Sequence, residues 1–498
     1  MNYRIRLVVI ITLFASLLFG CTAGLKFSVM MDCDDSIARI KAFTNVNLVP
    51  MTDEIILKNQ TVLIDGSMIT DVGPSNDVVI PDCATVIDGK DAYLMPGLAD
   101  MHVHIYEESR DEYPVSPLNL YIAKGVTTIR DCGTAPLSPS DTFVLDWRDE
   151  IINGETIGPM IYSSGRTIHG PVSNPGRIVR QRHNNGFDFV KLYFELSSNE
   201  FEQAQAVAEE LEMYSVGHIP YQVGMEQAIN AGLDEIAHIE EISFDFMFEN
   251  NRPGGVLSMD QWLSIMVESI LVDFGFGAGG DFSFDPAEFD RVHGMRLNQI
   301  LNDLKSNDVL IGTTLAVYEV VDQKLFEQEK FLNREENAYL PPELLDEIRK
   351  GQNRHQLLFQ MLNKNAPLCN WKRSLDVLLL QELHRSNIRL VSGTDAGSSS
   401  IGVVEGYATH DDLRILTELG FTPYEALLTA TVNAAYAVEK MNREGDFGTI
   451  EVGKRADLVL LGGNPLDEIT NTEDILGVMA MGKWYLAEML EQIISLSE

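Results

Sequence analysis

The chain has 498 residues, of which 45% are hydrophobic, and its 74 acidic residues outnumber 37 lysines and arginines to give a formal net charge of −37. Such strong acidity repels nucleic acid phosphates and anionic lipid surfaces, which excludes polynucleotides as expected partners. The length is sufficient for a barrel domain of about 250 residues together with a second domain.

The first 20 residues are typical of a secretory signal peptide. Arg4 and Arg6 precede an apolar run over residues 7–20, which is shorter than the roughly 20 residues of a membrane-spanning helix. The run ends in Leu18-Phe19-Gly20-Cys21, which resembles a bacterial lipobox, and residues 21–42 would then form a tether. We therefore expect a periplasmic or cell-envelope lipoprotein, held to the membrane only through a lipid on Cys21. The alternative is an ordinary signal peptide cleaved near Ala23.

The remaining cysteines, Cys33, Cys83, Cys132 and Cys369, are widely scattered and include no Cys-x-x-Cys pair. Their spacing does not assign a disulfide. Cys132 follows a predicted buried strand, and we expect it to be a small core residue.

Short alternating strands occur near both ends of the chain. In residues 43–95, a predicted hairpin joins Gln60–Ile64 to Ser67–Val72 through the turn Asp65-Gly66. A second all-β segment, residues 441–485, contains the apolar run Leu458–Leu461. We expect a small discontinuous β-sandwich domain built from both segments, with residues 486–498 as a C-terminal tail.

Residues 96–440 alternate between predicted strands and helices, which indicates βα units and an α/β domain. Ser197 and Glu200 form a capping box that predicts the start of one helix. Helical insertions are predicted at about 244–307 and 325–375, where they could act as lids. The predicted strands cover Gly125–Asp131, Pro159–Ser163, Phe187–Tyr193, Ser215–Pro220, Glu235–Glu240, Val309–Val317 and Ile388–Gly393.

Six side chains in or beside these apolar runs are candidate metal ligands. Side chains at the carboxyl ends of parallel strands meet at one edge of a sheet, and residues two apart on a strand face the same side. Imidazole nitrogens and carboxylate oxygens suit zinc and similar divalent ions. The candidates are His102, His104, Lys191, His218, His238 and Asp395.

The motifs around these residues resemble the strand motifs of the amidohydrolase superfamily. Pro96-Gly97-Leu98-Ala99-Asp100-Met101-His102-Val103-His104 is similar to the first-strand motif. The runs around Lys191, His218, His238 and Asp395 are similar to the fourth, fifth, sixth and eighth. Segments 420–427 and 448–466 resemble the prolidase-like and imidazolonepropionase-related branches. The resemblance implies a (β/α)8 TIM-type barrel.

The resemblance also implies two divalent metal ions, with zinc as the first expectation. His102, His104 and Asp395 would hold the more buried ion, and His218 with His238 the more exposed one. Lys191 would be carboxylated and bridge the two ions through its carbamate. Many relatives have glutamate where this chain has Ala237.

The implied reaction is hydrolysis of a C–N bond in a small amide, with a dipeptide or an N-acyl amino acid as the expected substrate. A metal-bound hydroxide would attack the carbonyl, and Asp395 would carry its proton to the leaving amine. Tyr221 and His169 are expected to contact the substrate. Two alternatives stay open: a mononuclear site that opens a cyclic amide, as imidazolonepropionase does, and a ligand-binding lipoprotein without catalysis. The sequence does not indicate the oligomeric state.

Overall fold

The computed structural model describes residues 39–107, 113–133, 141–248, 252, 261, 264, 284–353, 356–357, 366–397 and 401–496, with only the backbone described for 366–369. The predicted signal peptide, Cys21 and most of the predicted tether therefore lie outside the described residues. In the part of the chain that is described, no helix is both long and apolar enough to cross a bilayer.

Sixteen strands and fifteen α-helices form the described fold. The strands are β1 Ile40–Leu48, β2 Leu57–Asp65, β3 Met68–Pro74, β4 Thr85–Asp88, β5 Tyr93–Pro96, β6 Leu98–Val103, β7 Val126–Asp131, β8 Met160–Ser163, β9 Phe189–Leu192, β10 Tyr214–Gly217, β11 Glu235–Ile236, β12 Leu310–Gly312, β13 Leu390–Val391, β14 Leu458–Leu461, β15 Ile475–Ala480 and β16 Lys483–Leu486. The helices are α1 Pro117–Ala123, α2 Phe143–Asn153, α3 Pro175–Asn185, α4 Ser198–Glu210, α5 Met225–Asn230, α6 Glu240–Met247, α7 Pro286–Ser306, α8 Leu315–Phe326, α9 Gln328–Leu332, α10 Pro342–Arg349, α11 Ala366–Arg385, α12 Tyr407–Glu418, α13 Pro423–Thr429, α14 Val432–Lys440 and α15 Ala487–Ile493.

Parallel strands alternate with helices through the middle of the chain, so the expected α/β architecture is confirmed. Strands β6, β7 and β8 form one parallel sheet, and β9 to β13 form a second in chain order. Two parallel bridges link these sheets: Ile168, after β8, pairs with Leu192, and Val103 pairs with Ala396, after β13. Strands β13 and β6 are therefore neighbours, and the carboxyl ends of all eight strands share one side.

Local sequence explains several of these elements. All residues of β6 and β7 are buried, as expected of parallel strands covered on both faces. The predicted capping box is present at the start of α4, where Ser197 and Glu200 exchange side-chain and backbone hydrogen bonds. Cys132 is buried with a free thiol, as expected. Cys83 is disulfide-bonded.

A mixed sheet combines the two ends of the chain. Its order is β16-β15-β14-β5-β1-β2-β3, with β4 beside β1, and β14 joins the C-terminal strands to β5 by antiparallel pairing. The predicted hairpin is present as β2 and β3, with Asp65 paired to Met68. Phe43, Leu458 and Met479 are buried in the core of this sheet.

Several predicted boundaries differ from the structure, including the strand predicted over 235–240, which ends at Ile236. The first strand begins at Ile40, inside the predicted tether. Within the predicted C-terminal tail, residues 487–493 form α15, and Leu490 is buried against the core cluster. The predicted strand 309–317 ends at Gly312, because the carboxylate of Asp412 accepts the backbone N–H of Leu315 at 2.6 Å and so caps the start of α8.

Both predicted insertions contain helices where they are described. The first includes α7, while 249–251, 253–260, 262–263 and 265–283 lie outside the described residues. The second includes α9, a 3-10 turn over Glu335–Tyr339, α10 and the start of α11.

Candidate metal centre

Three of the candidate ligands lie together at the junction of β6 and the segment after β13. The Nε2 atom of His104 is 2.8 Å from Oδ1 of Asp395, and Nε2 of His102 is 3.6 Å from the same oxygen. One donor atom from each of the three residues lies within 4.8 Å of the others. This geometry suits a shared cation, since it brings two imidazole nitrogens and a carboxylate oxygen to one point.

The backbone beside this cluster is constrained. Asp395 has a φ of +57°, a left-handed conformation that costs about 1 kcal/mol or more for a residue other than glycine. At Gly393, an added Cβ would lie 2.6 Å from the Cβ of His102. Glycine is therefore required at 393, because the two chain segments approach too closely for any side chain.

The other two histidines extend the cluster. His238, just after β11, has its ring centroid 4.6 Å from that of His102. His218, just after β10, lies 4.7 Å from His238 by the same measure. The four imidazoles thus form a continuous group at the carboxyl ends of the parallel strands.

Lys191 belongs to β9 and is 1% exposed. Its Nζ has no hydrogen-bond partner among the described residues. Burial lowers the pKa of Lys191, and Asp395 is one of the charges that opposes this shift. A buried primary amine without a partner is unusual, because desolvation of its charged form is costly.

Three histidines are oriented by hydrogen bonds at Nδ1. His104 contacts the carbonyl of Gly133 at 2.8 Å, His218 contacts Glu241 Oε1 at 2.6 Å, and His238 contacts Thr314 Oγ1 at 3.0 Å. Such contacts fix the ring orientation and leave Nε2 as the donor atom for a metal. The Nδ1 of His102 has no partner within the described ranges.

Sequence reasoning missed two of these supporting residues. Glu241 lies three residues after His238, in the first turn of α6, and its second oxygen accepts the backbone N–H of Ile219 at 3.0 Å. Thr314 is 76 residues from His238 and has a φ of +47°. An acidic residue close to a candidate ligand could have signalled Glu241, but nothing in the sequence indicates Thr314.

The protonation states suit metal binding. Burial lowers the pKa of His102, His218 and His238 well below the ordinary histidine value. Burial raises the pKa of Asp395, but the hydrogen bond with His104 and the nearby charges outweigh this and hold it at about 2. Burial also lowers the pKa of His104, but its hydrogen bond with Asp395 and the charge of that carboxylate outweigh this and raise it. The cluster therefore offers three neutral imidazoles at neutral pH, and His104 paired with one carboxylate.

The two predicted substrate-contacting residues lie beside the cluster. His169 follows β8, its side chain is 43% exposed, and its ring is 4.3 Å from that of Tyr193, which in turn contacts His218 at 4.7 Å. Tyr221 is buried, and its ring lies 5.1 Å from Phe194. One aromatic ring lies between each of them and His218, that of Tyr193 for His169 and that of Phe194 for Tyr221.

A buried carboxylate supports the strand that presents the first two histidines. Asp100 accepts the backbone N–H of Thr394 at 3.1 Å and its hydroxyl at 2.6 Å, and it also accepts the hydroxyl of Thr409 at 3.2 Å. Burial raises the pKa of Asp100 to about 7. These bonds join the first and last parallel strands next to the donor cluster.

Comparisons with known proteins agree with this geometry. Residues 332–485 match the model of the amidohydrolase family. Imidazolonepropionase from Geobacillus sp. (strain WCH70) is 56% identical over 43 residues, which cover 9% of this chain and 9% of that protein. The chain thus matches only about a tenth of the length of that curated relative.

Solved structures match over almost the whole chain. A Xaa-Pro dipeptidase with methionine bound in its active site aligns with a TM-score of 0.60 at 19% identity, covering 90% of this chain and 100% of the other. The bottromycin amidohydrolase aligns with a TM-score of 0.60 at 18% identity, covering 91% and 89%. At these identities the structural matches show a shared fold, while the similarity to the amidohydrolase family itself covers residues 332–485.

Proposed function

We propose that this protein is a metal-dependent amidohydrolase that cleaves the C–N bond of a small amide, a dipeptide or an N-acyl amino acid. The observation that carries the proposal is the donor cluster of His102, His104 and Asp395, continued by His238 and His218 at the carboxyl ends of parallel strands. The amidohydrolase family match and the similarity to a dipeptidase structure support the same reaction class.

The scaffold proposed for this site is a (β/α)8 barrel flanked by a β-sandwich made from both ends of the chain. Two parallel bridges support the barrel. One joins Ile168, after β8, to Leu192 in β9, and the other joins Val103 in β6 to Ala396, after β13. In such barrels, catalytic residues occupy the carboxyl ends of the strands. The antiparallel pairing of β14 with β5 supports a flanking domain that is built from both ends of the chain.

The residues present fit two divalent ions, with zinc as the expected metal. His102, His104 and Asp395 would hold one ion, and His218 and His238 the other. A bound ion supplies Lewis-acid polarisation of a carbonyl and lowers the pKa of water to about 7.

A carboxylated Lys191 would supply ligands to both ions. Its amine is buried without a hydrogen-bond partner in the described part of the chain, and a neutral amine is the form that adds to CO2. The addition forms an N–C bond, releases one proton and leaves an anionic carbamate with two oxygen donors. Unmodified lysine could not bind both ions, because its ammonium form has no acceptor and its neutral form has only one lone pair.

Asp395 is suited to move the proton of the reaction. Its Oδ1 lies 2.8 Å from His104 Nε2, which leaves Oδ2 to accept a proton from the attacking water and to return it to the leaving amine. The low pKa of Asp395 keeps this carboxylate charged before the reaction. His169 and Tyr221 are proposed to contact the substrate from the side of His218.

A cyclic amide is the alternative substrate. The 43-residue match to imidazolonepropionase favours it, and it would accompany a single ion and an unmodified Lys191. A chain that binds ligand without hydrolysis would represent a different class of protein.

Metal content and a substrate panel test these possibilities together. Protein lacking residues 1–21 should be purified with bicarbonate, analysed by elemental mass spectrometry, and assayed with dipeptides, N-acyl amino acids and cyclic amides. We expect two ions per chain, fewer in Lys191→Ala, and hydrolysis of linear amides. Activity confined to rings with one ion would favour the alternative, and no metal after reconstitution would refute the proposal.

Export and a lipid on Cys21 are proposed on the basis of the N-terminal sequence. The disulfide at Cys83 supports an oxidising compartment, since disulfides are rare in the cytosol. Mass spectrometry of the protein from a membrane fraction should show a chain beginning at acylated Cys21. An unmodified chain beginning near Ala23 would indicate an ordinary signal peptide.

A further inference from the structure

A fully buried ion pair lies below the donor cluster and is not used in the proposed chemistry. The guanidinium of Arg130, in β7, meets both carboxylate oxygens of Glu235, in β11, with Nη1 2.7 Å from Oε2. The side chains are 1% and 0% exposed. Burying such a pair carries a large desolvation penalty, so the pair by itself is weak evidence for a contribution to stability.

The contacts around the pair show what it holds. Arg130 Nε donates to the backbone carbonyl of Met101 at 2.6 Å. Met101 lies in β6 directly before His102. One guanidinium therefore connects the strand of the first two candidate ligands to the carboxylate of Glu235.

The same carboxylate reaches a third ligand-bearing strand. Tyr214, in β10, donates its hydroxyl to Glu235 Oε2 at 3.0 Å. Tyr214 comes four residues before His218, and Glu235 comes three residues before His238. The network thus joins the three strands that present all four histidines.

The pair also lies beneath Lys191. The Arg130 guanidinium is 5.4 Å from the ring centre of Phe189. Phe189 and Lys191 are two residues apart on β9 and so face the same side, separated by about 6.6 Å along the strand. Burial lowers the pKa of Lys191, Arg130 adds to this effect, and Glu235 opposes it.

We propose that Arg130 and Glu235 are positioning residues for the metal centre. Arg130 fixes the Met101 carbonyl, and with it the segment that carries His102 and His104, while Glu235 holds the guanidinium in place. This inference rests on the proposed function, because it requires that the donor cluster binds metal.

The test uses Arg130→Met and Glu235→Gln, measured by zinc dissociation constants from chelator competition and by the visible spectrum of the cobalt-loaded protein. Arg148→Met is the matched control, because Arg148 also pairs with a buried carboxylate, that of Asp188 at 2.9 Å. The hydrogen bonds described for Arg148 go to Asp188 and to the carbonyl of Ile161, and none of them goes to Met101. The melting temperature of each metal-free variant is recorded alongside.

Both pair variants should weaken zinc binding by about tenfold or more and shift the cobalt bands, as expected when groups that orient metal ligands are removed. Arg148→Met should lower the melting temperature and leave both metal readouts unchanged. Loss of the positive charge of Arg130 would by itself strengthen zinc binding, whereas loss of the negative charge of Glu235 would by itself weaken it. Weakening in both variants therefore identifies a geometric role.

Tighter zinc binding in Arg130→Met with weaker binding in Glu235→Gln would overturn the positioning role in favour of a charge effect. Unchanged dissociation constants in both variants would overturn it as well. If neither variant folds, Tyr214→Phe decides, because it removes a single hydrogen bond to Glu235: weaker zinc binding supports the inference, and an unchanged constant overturns it. Wild-type protein that binds no zinc would instead refute the proposed function.

Discussion

Replacing Glu241 with glutamine should weaken the binding of the second metal ion, which we propose is held by His218 and His238. The two carboxylate oxygens of Glu241 accept two different donors, the ring Nδ1–H of His218 at 2.6 Å and the backbone N–H of Ile219 at 3.0 Å. Glutamine has one acceptor oxygen, so its NH2 group must face one of these donors. The His218 ring then loses the contact that orients its Nε2.

The size of the effect follows from the contacts that are lost. A hydrogen bond to a charged group contributes about 1.5–3 kcal/mol when it is buried. Removing such a partner of a metal-bound histidine typically weakens metal binding by about 10- to 100-fold. We therefore expect the affinity for the second ion to decrease by about 10- to 100-fold. Binding of the ion at His102, His104 and Asp395 should be retained.

Isothermal titration of the metal-free protein with zinc measures both sites. Glu240→Gln is the matched control, because it makes the same change one residue earlier in α6, where the carboxylate instead contacts Lys372 at 3.1 Å. The control should bind as many ions as the parent protein, which we propose is two. A Glu241→Gln protein that binds both ions with parental affinity would refute the reasoning.

Three further predictions concern single side chains. Asp395→Asn should reduce hydrolysis by about 100-fold or more while the circular dichroism spectrum stays unchanged, because a proton carrier is lost; a parental rate would exclude this role. Gly393→Ala should destabilise the protein by about 1–3 kcal/mol in a denaturant titration, because the methyl group overlaps His102; an unchanged midpoint would contradict the close approach. Burial lowers the pKa of Lys324 from 10.5 to about 7. Between these two pH values the lysine is more often protonated in the unfolded chain than in the folded protein, so the free energy of unfolding should rise with pH across that window. This rise should be smaller in Lys324→Met, and parallel curves for the two proteins would show that the lysine is not responsible.

The sequence placed the candidate ligands in or just after the strands where the structure has them, because each one lies within or follows a short apolar run. His218, His238 and Asp395 lie just after strands β10, β11 and β13, where the repeat of strands and helices places them. Their convergence did not require knowledge of any side-chain contact.

The contacts that orient the ligands could not be predicted in the same way. Thr314 and His238 are 76 residues apart, and Arg130 and Glu235 are 105 residues apart. Neither member of these pairs has a local pattern that identifies its partner. For the same reason the predicted strand over 309–317 was too long, since the carboxylate that ends it belongs to Asp412, 97 residues beyond Leu315.

The contact between β6 and the segment after β13 also sets an order on the maturation of the protein. His102 emerges from the ribosome early, whereas Asp395 is synthesised only after most of the chain. A nascent chain that ends before Asp395 cannot assemble the three-residue donor set, however well its earlier strands have folded. Binding of a cation by all three proposed ligands therefore requires a chain that extends at least to residue 395.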